Sequence, residues 1–207
     1  TWTFFVFMLL VVPVLFALRR TRLWIPWLLV ASYVFYGWWN PNYLLLLFGT
    51  SAIDYVMVLF MDRSKTQAVK RLWLIISLVS NFGFLGYFKY SGFITDNVNQ
   101  LLAWLGSSFQ LADPVTLPNK VLNAFGVPED RFFVQVILPI GISFHTFQSM
   151  SYTIDFYLGN VQRERHFLRF ATFVCFFPQL MAGPIERARH LLPQFHRAPP
   201  FRLQNLT

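Results

Sequence analysis

The sequence predicts an all-α fold: a polytopic helical membrane protein with about five transmembrane helices plus a re-entrant segment, part of a larger bundle. Three observations carry this. Of the 207 residues, 56% are hydrophobic and only 13% are charged, about half the charged share of an ordinary soluble domain. Those charges cluster between long apolar runs. Aromatic residues reach 19%, with 25 Phe and 7 Trp, and Trp and Tyr favour the membrane–water boundary. A soluble chain of this length needs a charged surface over its core. The apolar runs here leave almost no polar faces to supply one.

The first run, Trp2–Leu18, has its basic residues after it, at Arg19, Arg20 and Arg22. That order fits a spanning helix rather than a signal peptide. Seventeen residues extend about 26 Å as a helix, slightly less than the roughly 30 Å hydrocarbon core. Flanking Trp, Arg and Lys cover the difference at the interface. The arginines mark a cytoplasmic loop by the positive-inside rule. The second run, Leu23–Trp39, then leads to an uncharged turn, Asn40-Pro41-Asn42, expected outside. The third, Pro41–Met61, is interrupted only by Asp54 and precedes Arg63, Lys65, Lys70 and Arg71, expected inside. The fourth is Leu72–Phe88.

A long extracytoplasmic loop is expected next, over residues 89–131. It is mixed in charge, carries Pro114, Pro118 and Pro128, and includes an amphipathic stretch, Asn97–Leu105, suited to an interfacial helix. Phe132–Ile154 returns the chain to the inside, where Arg163, Arg165 and Arg169 follow. The last run, Phe170–Ile185, breaks the alternation. It is short, contains Pro178, Gly183 and Pro184, and is followed by Arg187, Arg189, Arg197 and Arg202. A full crossing would put that basic tail outside, so a re-entrant segment is expected. Irregular backbone at membrane depth is tolerated only where protein or a water-filled cavity surrounds it. Residues 1–207 thus read as a single membrane domain. The absence of an initiator Met and the polar stop after Pro199-Pro200 suggest a piece of a longer protein.

The net charge of +8 comes from residues flanking apolar runs, which fits topology signals and contacts with anionic membrane lipid. No nucleic-acid partner is expected. Cys175 is the one cysteine. It has no internal disulfide partner, and no Cys/His zinc spacing or other metal motif exists. It reads as a small buried hydrophobe.

Polar residues at bilayer depth are costly, and each needs a reason. Asp54 fits a basic partner, a polar pathway, or hydrogen bonding between helices. The densest polar set runs from Ser143 to Asp155, after the expected kink at Pro139-Ile140-Gly141. His145, Gln148, Ser149 and Tyr152 share one helix face, and Ser151 and Asp155 lie on a neighbouring one. Such a face lines a channel or bonds adjacent helices. His145 is a candidate general base by residue type, or else a structural histidine. Gln179, Glu186 and Arg187, in the re-entrant stretch, are candidates for a polar or charged ligand. His166, His190 and His196 lie in basic stretches and read as solvated. No phosphate-binding Gly-Lys-Ser/Thr loop, no Gly-x-Ser-x-Gly elbow and no paired-histidine zinc motif occurs.

Two stretches go further. LPIGISFHTFQSMSYTID, residues 138–155, and FFPQLMAGPIER, residues 176–187, resemble signatures of the membrane-bound O-acyltransferase family. ASYVFYGWW, residues 31–39, and GYFKY, residues 86–90, are similar to the branch of alginate and peptidoglycan O-acetyltransferases. The similarity runs through nearly all of the chain and matches the amino-terminal part, somewhat under half, of a typical member. The resemblance implies a many-helix disc enclosing a tunnel in the bacterial inner membrane. An acyl thioester donor such as acetyl-CoA enters from the cytoplasm as substrate, with no bound cofactor. The acyl group passes to a hydroxyl of an exported polysaccharide acceptor. A periplasmic acetyltransferase partner often accompanies such proteins. The resemblance places the catalytic histidine in the later half of the protein, beyond residue 207, and relatives often carry an aromatic residue where this chain has His145. It leaves His145, Gln148, Ser151, Tyr152, Asp155, Gln179, Glu186 and Arg187 as tunnel or substrate-binding candidates. Other acceptors within the same fold are teichoic acid, lipid or protein. A transporter would also need buried polar helices but predicts an inverted repeat, and none is seen.

Overall fold

The computed structural model describes residues 2–38, 42–112, 141–182 and 186–196. Every regular element among them is helical. In chain order these are α1 (Trp2–Leu18), α2 (Trp24–Gly37), α3 (Asn42–Arg63), α4 (Gln67–Trp104), α5 (Ile142–Tyr157), α6 (Phe167–Val174), α7 (Phe177–Ala182), α8 (Ala188–Leu191) and a 3-10 turn (Leu192–His196). Helices α3 and α4 are long and apolar enough to cross a membrane, and α1 and α2 are apolar but shorter. The Asn40-Pro41 turn, most of the expected loop, the first part of the Phe132–Ile154 run, Gly183-Pro184-Ile185 and the tail from Arg197 lie outside the described residues.

Helix α4 is built inside out by the standards of a soluble protein. Its buried positions include Ser77, Asn81, Ser91 and Thr95. Its outer face carries Leu72, Ile75, Val79, Phe82 and Phe93, with Val79 64% and Phe93 68% exposed. Helix α5 repeats the pattern: it buries His145, Thr146, Gln148, Ser149 and Thr153 and exposes Phe144 and Phe147. Water would penalise both arrangements. A hydrocarbon surround reverses the sign, because it accepts the apolar face and drives polar groups inward to find partners.

Helix α4 also departs from expectation. The sequence suggests a span ending at Phe88 and a loop from Lys89, but one helix of 38 residues continues to Trp104. No proline interrupts Leu72–Leu105, so nothing breaks the ladder. The expected interfacial helix is therefore the far end of α4. At about 57 Å it outruns a hydrocarbon core. It stops at a Schellman turn: Gly106 has φ 77, and the Gly106 and Ser107 amides donate to the carbonyls of Ala103 and Leu102. Asn99 then ties the following segment back, exchanging side-chain hydrogen bonds with the backbone of Leu111 at 2.7 and 2.9 Å.

Of the expected kink at Pro139-Ile140-Gly141, only Gly141 is described: it is left-handed (φ 92) and immediately precedes α5. Pro139 and Ile140 lie outside the described residues.

Helices α6 and α7 occupy the middle of the bundle. Helix α6 packs against α2, α3 and α5, and α7 packs against α2. Phe170, Ala171, Phe173, Val174 and Cys175 are wholly buried. At 8 residues, about 12 Å, α6 is too short to cross a bilayer. Pro178 explains the break: it has no N–H to donate, and its ring would strike the carbonyl of Val174 if the helix continued. The Phe177 amide freed at the break donates to Ser32 Oγ of α2 at 3.4 Å.

Four segments gather at one end of the bundle. Trp24 stacks on Phe195 with ring centroids 6.4 Å apart. Asp62, at the end of α3, pairs with Arg163 at 2.9 Å. Tyr55 donates to the Arg165 carbonyl at 2.7 Å. His196 meets Glu164 at 2.7 Å. The chain thus leaves this end at Phe167 and is back there by Ala188, the geometry of a segment that enters and returns.

Candidate functional site

Polar contacts join the helices at three places. Asp54 of α3 is fully buried. It accepts from Ser77 Oγ at 2.5 Å and from Asn81 Nδ2 at 2.8 Å to each oxygen, both on α4. It also accepts from Ser149 Oγ of α5. Among the described residues no cation is a partner, and hydrogen bonding between helices is the role observed.

His145 of α5 is 1% exposed. Its Nε2 lies 2.9 Å from Thr50 Oγ1 on α3, and its Nδ1 lies 3.8 Å from Cys175 Sγ. Cys175 is in turn 3.9 Å from Ser51 Oγ. The histidine that looks isolated in the sequence is therefore anchored on both ring nitrogens, with neither left open to take a proton from a substrate.

Gln148 and Gln179 exchange amide hydrogen bonds, each 3.2 Å. This pair brings together the two stretches singled out by resemblance. Tyr152 follows on the same face and is fully buried. Its ring packs on Phe170 at 4.9 Å, and its hydroxyl accepts the Glu164 amide at 2.8 Å. Among the described residues, then, His145, Gln148 and Tyr152 each make contacts with neighbouring segments. Ser151 is half-buried. Asp155 is buried near the end of α5; its Oδ1 accepts from Asn160 Nδ2 at 3.1 Å, and its Oδ2 has no partner. Glu186 and Arg187 are exposed, and the structure does not join them to Gln179.

The open feature lies elsewhere. A pocket of about 610 Å³ sits at the end where the four segments meet. One bank is the α5–α6 connection and the first turn of α6, with Arg163, Glu164, Arg165, His166 and Arg169. The other is α8 and the 3-10 turn, with Arg189 and His196. Glu164 organises it. Its side chain is 1% exposed and carries both Arg169, at 3.5 Å, and His196, while its Oε1 accepts the His166 amide at 2.9 Å. His196 is thus not merely solvated, because a buried carboxylate holds it. A single acid among arginines at 163, 165 and 169 was the signal in the sequence. The basic residues read there as topology markers also build a pocket.

No potential metal cluster occurs among the described residues. No family model and no solved structure matches the chain. Curated proteins do. The chain is 37% identical over 196 residues to a probable alginate O-acetylase of Pseudomonas aeruginosa, covering 92% of this chain and 34% of that protein. It is 36% identical over 171 residues to the counterpart of Pseudomonas syringae, covering 82% and 29%. It is 36% identical over 193 residues to a peptidoglycan O-acetyltransferase of Helicobacter pylori, covering 82% and 32%. The chain spans about a third of the length of the curated relatives it matches. The chain belongs to the family of the alginate O-acetylases and the peptidoglycan O-acetyltransferase.

Proposed function

We propose that this chain is part of a multi-pass O-acetyltransferase of the bacterial inner membrane. That protein passes an acetyl group from a cytoplasmic thioester donor, acetyl-CoA, to hydroxyls of an exported polysaccharide. The observation that carries the reading is the identity of 36–37% to proteins named for O-acetylation of alginate and peptidoglycan. The inside-out packing of α4 and α5 supports the membrane setting.

The chemistry is acyl transfer. A base takes the hydroxyl proton as the oxygen attacks the thioester carbonyl; the C–S bond breaks, and the thiolate leaves and is protonated. In this reading the described residues of the chain do not supply the base. His145 is enclosed and anchored, and Tyr152 and Gln148 are spent on packing contacts. These residues act as scaffold, holding the broken α6–α7 segment at the centre of the bundle. Reacting groups then come from the two thirds of the relatives' length that this chain does not span. The arginines that follow α1, end α3 and fill the α5–α6 connection support a cytoplasmic setting for the basic pocket, the side from which the donor would arrive. A periplasmic acetyltransferase partner and the surrounding lipid complete the proposal.

Sealed membrane vesicles containing the full-length protein test donor and side together. With labelled acetyl-CoA supplied to the cytoplasmic face, label is expected on polysaccharide inside the vesicle. Label appearing only when acetyl-CoA meets the periplasmic face overturns the proposed direction, and no label on any acceptor overturns the reaction.

A further inference from the structure

The basic pocket is the part of the molecule that the scaffold role leaves unexplained. Four arginines and two histidines line it against one carboxylate. That carboxylate, Glu164, is already matched by Arg169 and His196. Asp62, outside the lining, holds Arg163. Arg165 and Arg189 remain, one on each bank and both exposed. Neither forms a salt bridge among the described residues; the Arg189 guanidinium donates only to the His190 ring at 3.0 Å.

The walls are pinned rather than loose. Tyr55 holds the Arg165 carbonyl, Tyr152 holds the Glu164 amide, and Glu164 ties the α5–α6 connection to the 3-10 turn through His196. Such preorganisation lowers the ordering cost of binding. Guanidinium groups recognise phosphate oxygens in a two-pronged fashion. About 610 Å³ exceeds what one inorganic phosphate fills and suits a small organic ligand.

We propose that the pocket between residues 160–169 and 188–196 binds a phosphate-bearing anionic ligand, with Arg165 and Arg189 as the opposed phosphate contacts. The ligand class stands on charge and geometry. Two sources carry that chemistry at a membrane surface: the nucleotide part of coenzyme A and the headgroup of an anionic phospholipid. The first of these rests on the acyltransferase reading.

The experiment uses the full-length protein in nanodiscs. Coenzyme A binding is measured by calorimetry in zwitterionic phosphatidylcholine discs, for the wild type, R165Q/R189Q and K65Q/K70Q. Both double variants remove the same charge, the second outside the pocket, where Lys65 is exposed and Lys70 half-buried. Retention of phosphatidylglycerol from mixed discs is measured by native mass spectrometry on the same three proteins. If R165Q/R189Q weakens coenzyme A binding by about tenfold or more and K65Q/K70Q by less than about twofold, the ligand is the nucleotide. If coenzyme A binding is unaltered but only R165Q/R189Q loses phosphatidylglycerol, the ligand is a lipid headgroup. If R165Q/R189Q changes neither measurement, or both variants lose equally, the proposal is overturned. Either of those results leaves vesicle acetylation intact. Conversely, absent acetylation removes the acyltransferase reading without altering the binding data.

Discussion

Asp54 holds three helices through hydrogen bonds and meets no cation among the described residues. Removing its carboxylate strands three buried donors, each of which then carries a desolvation penalty. Asp54→Ala is expected to destabilise the full-length protein in detergent by about 3 kcal/mol. Ser149→Ala is expected to cost only about 1 kcal/mol, because hydrogen bonds between membrane helices are individually modest. Chemical unfolding of the purified variants checks both values, and an Asp54→Ala protein as stable as the wild type would contradict the network. His145 gives a second test. It packs against Thr50 and Cys175, so His145→Phe is expected to retain cellular O-acetylation within about tenfold. A general base would lose about 10²–10⁴. The sequence showed that Asp54 needed a polar partner but not which one. Ser77 and Asn81 lie more than 20 residues away on another helix, and no spacing rule connects them. Glu164 was missed for a related reason: its burial depends on a turn that starts nearly 30 residues later, at Leu192.

At the scale of elements, α6 and α7 were the most legible part. Pro178, Gly183 and Pro184 predicted a broken segment, and Pro178 breaks it between Val174 and Phe177. The continuation of α4 was not legible, because Lys89 reads as the end of an apolar run although the helix ladder does not need apolar side chains. Lys89 instead lies over the Tyr90 ring at 5.3 Å. Helix α5 closes on Gly159, whose φ is 79, with the Asn160 amide donating to the Asp155 carbonyl at 2.8 Å. An alanine there must adopt a left-handed conformation. Gly159→Ala is therefore expected to lose about 1–2 kcal/mol and to loosen the pocket wall that begins at Asn160. Limited proteolysis between Asn160 and His166 reads that loosening, and an unchanged cleavage rate would contradict it. The return of the chain to one end gives a further expectation: cysteines placed at Arg165 and Arg189 react with an impermeant thiol reagent from the same side of the membrane. Labelling from opposite sides would contradict the entering and returning segment.

For the whole molecule, the membrane class was visible in composition, and the structure adds the reason. Apolar residues that a soluble protein would bury form the outer faces of α1, α4 and α5, while Ser77, Asn81, Ser149 and Asp54 are buried in the interior beside an apolar core. Family membership was visible in two stretches, and their contact through Gln148 and Gln179 gives that resemblance a physical basis. The basic pocket was not visible, because a run of arginines next to a membrane helix has the same appearance whether it sets topology or lines a cavity. The central proposal is that the chain is part of a polysaccharide O-acetyltransferase. Its most direct test is the ester-linked acetate on exported polysaccharide and on peptidoglycan in cells lacking the gene, complemented with the full-length gene or with residues 1–207. The account predicts that acetate disappears from one polymer and that only the full-length gene restores it. Undiminished acetate on both polymers would contradict it.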